Sequence, residues 1–340
     1  MDKKLVSLAA VIAAATISAR AVNYMMQSTT PLPAKSMGFS ALKIGLLALV
    51  ASAFQLVGSG YLNVVLGPAA RRRAFAAASA LAPPLLIAYW ASNEPALWVL
   101  TAATGLAYGI IMPNLINLAS PDLRNAERLL AVYTLSLNIS LVIGPSYEAL
   151  LLTRLSYADI YLFFLPLSLI LAALAPAIKF PEAGRASRIP YAKLKTDGFI
   201  SAALANTAYS IPFIAVVNYL PLYGINRLVL PKSETYSLFL PFFTSSMATR
   251  LAMAVRPVRN IRGFYLASMA LTLAGVALVV AGPNSVVLVA AASLLGERNG
   301  SVYTLSVIMI ARTTTLAERN EVNSLFSAYM ILSGALAAPS

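Results

Sequence analysis

The chain is 340 residues long, 59% hydrophobic and only 11% charged, with a mean hydropathy of +0.77 and a formal net charge of +13. Such a composition cannot present a normal soluble surface; apolar runs of about 20 residues, enough to cross roughly 30 Å of hydrocarbon as helix, recur to its end. With no cysteine and no histidine, disulfides, thiol chemistry and histidine-held haem or zinc are excluded.

Eleven spans are predicted, at about 5–27, 42–66, 74–92, 97–119, 129–151, 159–178, 198–220, 235–255, 264–281, 285–311 and 322–339. They are helices, because barrel strands would be about ten residues long with strict alternation. The first opens on "MDKK" and passes the small residues of "AAATISA", as a cleaved signal peptide does, yet it continues through "ARAVNYMM" at full transmembrane length. It is read as a span. "GSGY" at 58–61 resembles a fragment of a phosphate loop, but it lies inside the second span with no lysine after it and reads as packing. Gln27 and Gln55 are the only glutamines.

With the N-terminus inside, seventeen of the 25 Lys and Arg fall on the cytoplasmic side and five on the other, while Arg20, Arg250 and Arg298 fall within spans. This bias predicts a multi-pass plasma-membrane protein with a cytoplasmic N-terminus. It assigns the basic residues to lipid headgroups rather than to nucleic acid.

The chain also repeats itself. "GLAYGIIMPNLINLASPDLRNAERLLAVYTLSLNISL" from Gly105 aligns without a gap with "GERNGSVYTLSVIMIARTTTLAERNEVNSLFSAYMIL" from Gly296, at an offset of 191. Gly105 and Gly109 match Gly296 and Gly300; Ala126, Glu127 and Arg128 match Ala317, Glu318 and Arg319; Arg71 falls on Arg262. With a small shift, "AVNY" at 21–24 finds "VVNY" at 216–219. Both repeats begin on the same side, so they are parallel. The expected organisation is an N-terminal six-helix bundle over 1–178, a polar cytoplasmic linker over 179–197 and a C-terminal bundle of about five helices over 198–340.

Several stretches carry a family resemblance. "TTPLPAKSMGFSALKIGLLALVASAF" looks like the first outer loop and second helix of the major facilitator superfamily of transporters, and "GPAARRR" at 67–73 lies where that family has its glycine, aspartate and basic-residue motif. "NAER" and "LAER" are similar to acidic-basic pairs before its helices 5 and 11, and "IGP" at 143–145 resembles the end of a helix 5 motif of its antiporters. The resemblance implies an all-α membrane protein of two parallel-repeat bundles and a secondary transporter working by alternating access. By the same resemblance it would be no enzyme, would use no cofactor, and would have as partners a small-molecule substrate with a coupling proton or ion. "GPAARRR" lacks the aspartate, and eleven spans instead of twelve point to truncation or a lost end. Three readings stand: efflux, towards which "IGP" leans; uptake of a small organic anion, which the arginines favour; and a non-transporting receptor or assembly subunit on the same fold.

Charge inside the spans marks the candidate pathway, because a charged group at the bilayer centre must face protein or water. Glu297 and Arg298 interrupt "VVLVAAASLLGERNGSVYTLSVIMIA" and project about 100° apart, so at least one must meet another helix or a cavity. Arg20, Glu148 and Arg250 are the other intramembrane charges. In the resembled fold helices 1, 4, 7 and 10 line the cavity, which implies Arg20 and Glu297 close together across the pathway. There they would bind an anion or carry a proton on Glu297; the alternative is a buried ion pair that only sets helix register. Asn23 and Tyr24, repeated as Asn218 and Tyr219, line the pathway or pack helices; Asn114, Asn117, Asn206, Tyr209, Asn299 and Tyr303 are weaker candidates of the same kind. Gly105, Gly109, Gly296 and Gly300 have the spacing of close helix crossings, and Pro113 should kink its helix. Arg71, Arg72, Arg73, Glu127, Arg128, Arg262, Glu318 and Arg319 are candidates for a cytoplasmic gate of ion pairs between the bundles, or are lipid-facing charge.

Overall fold

The computed structural model describes residues 3–120, 125–152, 154–178, 194–208, 239–256, 258–281 and 284–337. Among them the chain is helical and forms no strand. The long helices are α1 (Lys3–Thr29), α2 (Ala41–Leu56), α3 (Pro68–Trp90), α4 (Glu94–Leu118), α5 (Ala126–Leu152), α6 (Leu165–Leu174), α7 (197–208), α8 (Phe239–Val255), α9 (Ile261–Ala281), α10 (Ser285–Thr313) and α11 (Leu316–Ala337). Each predicted span contains one of these helices; the seventh is described only to residue 208. Most of the expected linker, with Tyr209, Asn218 and Tyr219, lies outside the described residues.

Local chemistry sets the helix starts. Gly38 takes a positive φ of 87° in the turn before α2, and Ser40 then caps α2 by accepting from the Lys43 amide at 3.3 Å. Asn93 and Asn284 cap α4 and α10 in the same way, at 3.0 and 2.9 Å. Pro68 opens α3, where its missing N–H costs nothing. α2 does not stop at Leu56: it passes through a π-helical segment, Val57–Leu62, into a last short turn, Asn63–Val65.

Among the described residues, five helical stretches are long and apolar enough to cross a membrane by length and composition: Leu5–Ser36, Leu42–Val65, Glu94–Leu118, Ala126–Glu148 and Ile261–Ala281. α3 instead opens on three arginines and contains Pro83 and Pro84, α10 carries Glu297 and Arg298, and α8 has 17 residues.

Contacts between helix ends show that neighbours in sequence run up and down. At one end Arg72 of α3 donates to the Pro176 carbonyl just past α6, and Glu127 of α5 meets Arg312 of α10. At the other, Lys43 of α2 meets Glu94 of α4, and Trp90 of α3 donates to Asp159 before α6 at 3.3 Å. We term the first the arginine-rich end.

The repeat reappears as packing. A Cβ on Gly105 would lie 2.3 Å from the Ala51 carbonyl oxygen, and one on Gly109 equally close to that of Gln55. On Gly296 it would lie 2.0 Å from the Phe242 oxygen, and on Gly300 2.5 Å from that of Ser246. Glycines and carbonyls alike are 191 residues apart, so α2 crosses α4 as α8 crosses α10. The two groups of helices, α1–α6 and α7–α11, meet along α5 with α8 and α10, and along α11 with α2 and α4. Exchanging the groups carries the α5–α8 contact onto the α11–α2 contact, the relation expected of parallel repeats.

Candidate functional site

A cavity of about 490 Å³ lies between the two groups of helices. α1 contributes Arg20 and Gln27, α2 contributes Ser52, Gln55 and Ser59, and α4 contributes Tyr108, Met112 and Pro113. Tyr133 of α5, Arg250 of α8, Tyr303 of α10 and Ser327 of α11 complete the polar lining. Among the described residues, two arginines and no carboxylate line this space.

The two arginines are held differently. Arg250 is 3% exposed and is braced by the Thr134 carbonyl of α5 at 2.5 Å and the Asn299 carbonyl of α10 at 2.8 Å. Those carbonyls lie one in each group of helices, so Arg250 ties the groups together. Arg20 makes no hydrogen bond or ion pair among the described residues, and its charge reaches Tyr24, Tyr133 and Tyr303. The Tyr133 and Tyr303 hydroxyls stand 3.4 Å apart, and the fully buried Tyr108 hydroxyl has no partner among the described residues. Behind them Thr304 donates to Thr134 at 2.9 Å, and Asn299 donates to Ser246, which donates to Asn138.

Helix phase separates the charges that the sequence puts side by side. Glu297 points towards α9, where Oε1 accepts from Ser268 at 3.0 Å and Oε2 is buried without a hydrogen-bond partner among the described residues; Ser301 donates to the same Ser268. Arg298 turns to α7 and donates to the Ala208 carbonyl. Asn299, one residue on, faces α8. Arg20 and Glu297 are therefore not brought together at the cavity; Arg250 takes the position opposite Arg20.

Glu148 lies on α5 away from the cavity, buried and accepting from Ser28 at 2.8 Å and Thr29 at 2.7 Å. Tyr24 is half-buried beside it. Asn23 faces a smaller neighbouring cavity within α1–α4, and Asn206 is buried on α7. Gln27, Gln55 and Tyr133 were not among the sequence candidates. The two glutamines carried a signal, since the only glutamines of the chain both border the cavity.

Between the cavity and the arginine-rich end the groups of helices are closed against each other. Asn117 of α4 accepts from Asn323 at 2.8 Å and donates to Asn320, both on α11. Asn63 of α2 receives Asn114 at 2.8 Å and donates to the Gly109 and Ile110 carbonyls. Arg319 donates to the Ser120 carbonyl across the gap at 2.9 Å and to the Ala311 carbonyl in its own group at 3.0 Å. Glu127 and Arg312 form an ion pair at 2.6 Å across the same gap.

Glu318 accepts from the Thr315 amide and caps its own helix. Arg71 is buried and donates to the Leu66 carbonyl at 2.8 Å; burial lowers its pKa to about 10 while Glu321 of α11 pulls it back up, so it stays a cation at neutral pH. Arg72, Arg73 and Arg262 are exposed, and Arg128 pairs with none of the described residues.

The sequence profile of the Major Facilitator Superfamily matches residues 8–339. No curated protein sequence matches the chain. Among solved structures, FucP in its outward conformation superposes with a TM-score of 0.72 at 15% identity, covering 97% of this chain and 90% of that one. The proton:xylose symporter XylE bound to 6-bromo-6-deoxy-D-glucose gives 0.76 at 10% identity, covering 98% and 87%. The human organic anion transporter MFSD10 gives 0.73 at 13% identity, covering 97% and 91%. At these identities the likeness is one of fold.

Proposed function

The chain belongs to the Major Facilitator Superfamily, a transporter family and not an enzyme family, and from that premise we propose that it carries a small organic anion across the membrane by alternating access. The observation that carries this reading is the lining of the central cavity, where Arg20 and Arg250 face the space without a carboxylate among the described lining residues. A buried cavity of that sign favours an anionic guest, and Arg20 is the group that meets it, because its guanidinium has no protein partner among the described residues. Arg250, already braced by two carbonyls, sets the field.

The bundles over 1–178 and 198–340 rock about this site as a secondary carrier, driven by the substrate's own gradient or by a coupled proton or ion. The seal formed by Asn117, Asn320, Asn323, Arg319 and the Glu127–Arg312 pair is the inner gate in its closed form. The arginine-rich end then faces the cytoplasm at the plasma membrane, as positive-inside charge requires.

The experiment is uptake of radiolabelled carboxylates into proteoliposomes holding the purified protein, with Arg20→Gln alongside. Saturable uptake that Arg20→Gln removes while the protein stays folded is expected. Uptake unchanged in Arg20→Gln, or a carrier that moves only cations, would overturn the reading.

A further inference from the structure

Beside the central cavity lies a second space of about 260 Å³, enclosed by α1, α2, α3 and α4, for which the anion site gives no account. Gln27, Ser52 and Gln55 border both spaces. Among the described residues no charged one lines the smaller space, and much of its wall is apolar, from Met26, Ile44, Leu47 and Ala51. Two polar atoms on that wall lack partners. Asn23, 3% exposed, has its Nδ2 unbonded, and Thr104, 6% exposed, has its Oγ1 unbonded. The nearby Tyr89 hydroxyl donates to Thr101 at 3.2 Å and lies close to Thr104 without a hydrogen bond of normal length to it, so the Asn23 amide is freer than the Thr104 hydroxyl. An amide donor and a hydroxyl buried without partners carry a penalty that a bound acceptor removes.

The position of this space relative to Arg20 matters as much as its chemistry. Arg20, Asn23 and Gln27 are three and seven residues apart on α1, so they share one helix face. At a rise of about 1.5 Å per residue, Asn23 lies about 4.5 Å and Gln27 about 10 Å along the axis from Arg20. One elongated molecule can therefore touch the guanidinium with one end and the Asn23 amide with the other.

We propose that the substrate is an organic anion with an uncharged arm, its anionic head at Arg20 and its arm in the side cavity. There a hydroxyl, ether or carbonyl oxygen of the arm accepts from Asn23 Nδ2 and meets Thr104 Oγ1. This rests on the anion-transport reading and narrows it. Small inorganic anions leave the side cavity unfilled, and a dicarboxylate places a second charge where no cation lines the wall. Solvent alone is the competing occupant, since a space of this size with unbonded polar atoms on its wall has room for water.

Binding to the purified full chain in nanodiscs, followed calorimetrically, separates these cases with four probes: acetate, hexanoate, 6-hydroxyhexanoate and adipate. The expected order has 6-hydroxyhexanoate about fivefold tighter than hexanoate, the worth of one net hydrogen bond, with acetate and adipate weaker. Asn23→Leu and Thr104→Val should each bring the hydroxyhexanoate-to-hexanoate ratio to about one and leave acetate unchanged. They lie on different helices, so misfolding of one leaves the other to decide. Equal affinity for the two six-carbon acids in the unsubstituted protein, or a ratio that survives in the folded variants, would show a solvent-filled space and overturn the inference while leaving the anion site standing. No binding of any of the four acids, or acetate binding unchanged in Arg20→Gln, would overturn both.

Discussion

The α2–α4 crossing of one half and the α8–α10 crossing of the other are built from the same parts, glycines pressed onto carbonyls 191 residues apart, yet they carry different chemistry. Arg250 on α8 corresponds by that offset to Ser59 on α2, and both line the central cavity. Around Ser59 the helix widens into a π segment with Gly58 against the Leu106 carbonyl, whereas Arg250 sits in a regular helix and reaches across to Thr134. The backbone contact is what both copies keep, because a crossing this tight admits only glycine. The side chains that face the cavity are free of that constraint, so of the two crossings only α8–α10 carries a charge into it.

The sharpest way to break this comparison is to fill the crossings. Gly296→Val puts a side chain into the Phe242 carbonyl and should cost about 3 kcal/mol or more, seen as loss of a monodisperse, cooperatively melting protein. Gly105→Val should do the same in the other half. Gly144→Ala is the control: its Cβ would meet nothing nearer than Ala21 at 3.8 Å, and its melting temperature should not move. A tolerated Gly296→Val would mean that the crossings are not what the repeat preserves.

The next largest effect lies where the halves differ. Arg250→Ala removes two charge-assisted hydrogen bonds to the Thr134 and Asn299 carbonyls together with a buried side chain, and should destabilise by about 2–3 kcal/mol while abolishing anion binding. Ser59→Ala removes only a hydroxyl bonded to the Gln55 carbonyl of its own helix, at 2.9 Å, and should cost about 1 kcal/mol or less with binding retained. Equal losses in both variants would erase the functional difference between the crossings.

Much of this was legible before the structure. Spans, repeat and close-packed glycines follow from hydropathy and spacing, since length and small residues act locally. The facing of the charges was not legible. Glu297, Arg298 and Asn299 are consecutive, yet they reach α9, α7 and α8, because each step of about 100° points to a different neighbour. Their order in sequence gives prominence to Glu297, while the charge that joins Arg20 at the cavity is Arg250, a lone arginine in a span with no adjacent partner to draw notice. Of the expected gate, Glu127 does pair across the halves, but with Arg312, whose repeat position holds no matching residue.

The smallest effects test whether the halves are the bodies that move. Glu127–Arg312 and Lys43–Glu94 are ion pairs of similar length, 2.6 and 2.8 Å, at opposite ends of the molecule. The first joins α5 to α10, across the halves; the second joins α2 to α4, within one. Each is worth about 1 kcal/mol or less, and less for the second, whose side chains are 50% and 46% exposed against 34% and 24%. Energy alone hardly separates them, but topology does. Breaking a contact made in only one conformation shifts the balance by its full strength, so Glu127→Gln should open the arginine-rich end about three- to fivefold more often. Labelling of Ser327→Cys by an impermeant thiol reagent added on that side reads this directly, in a chain with no cysteine of its own. Lys43→Ala leaves the halves' relation untouched and should leave that labelling rate unchanged. If both variants raise it equally, the moving boundary does not run between α5 and α10, and the alternating-access reading loses its mechanical basis.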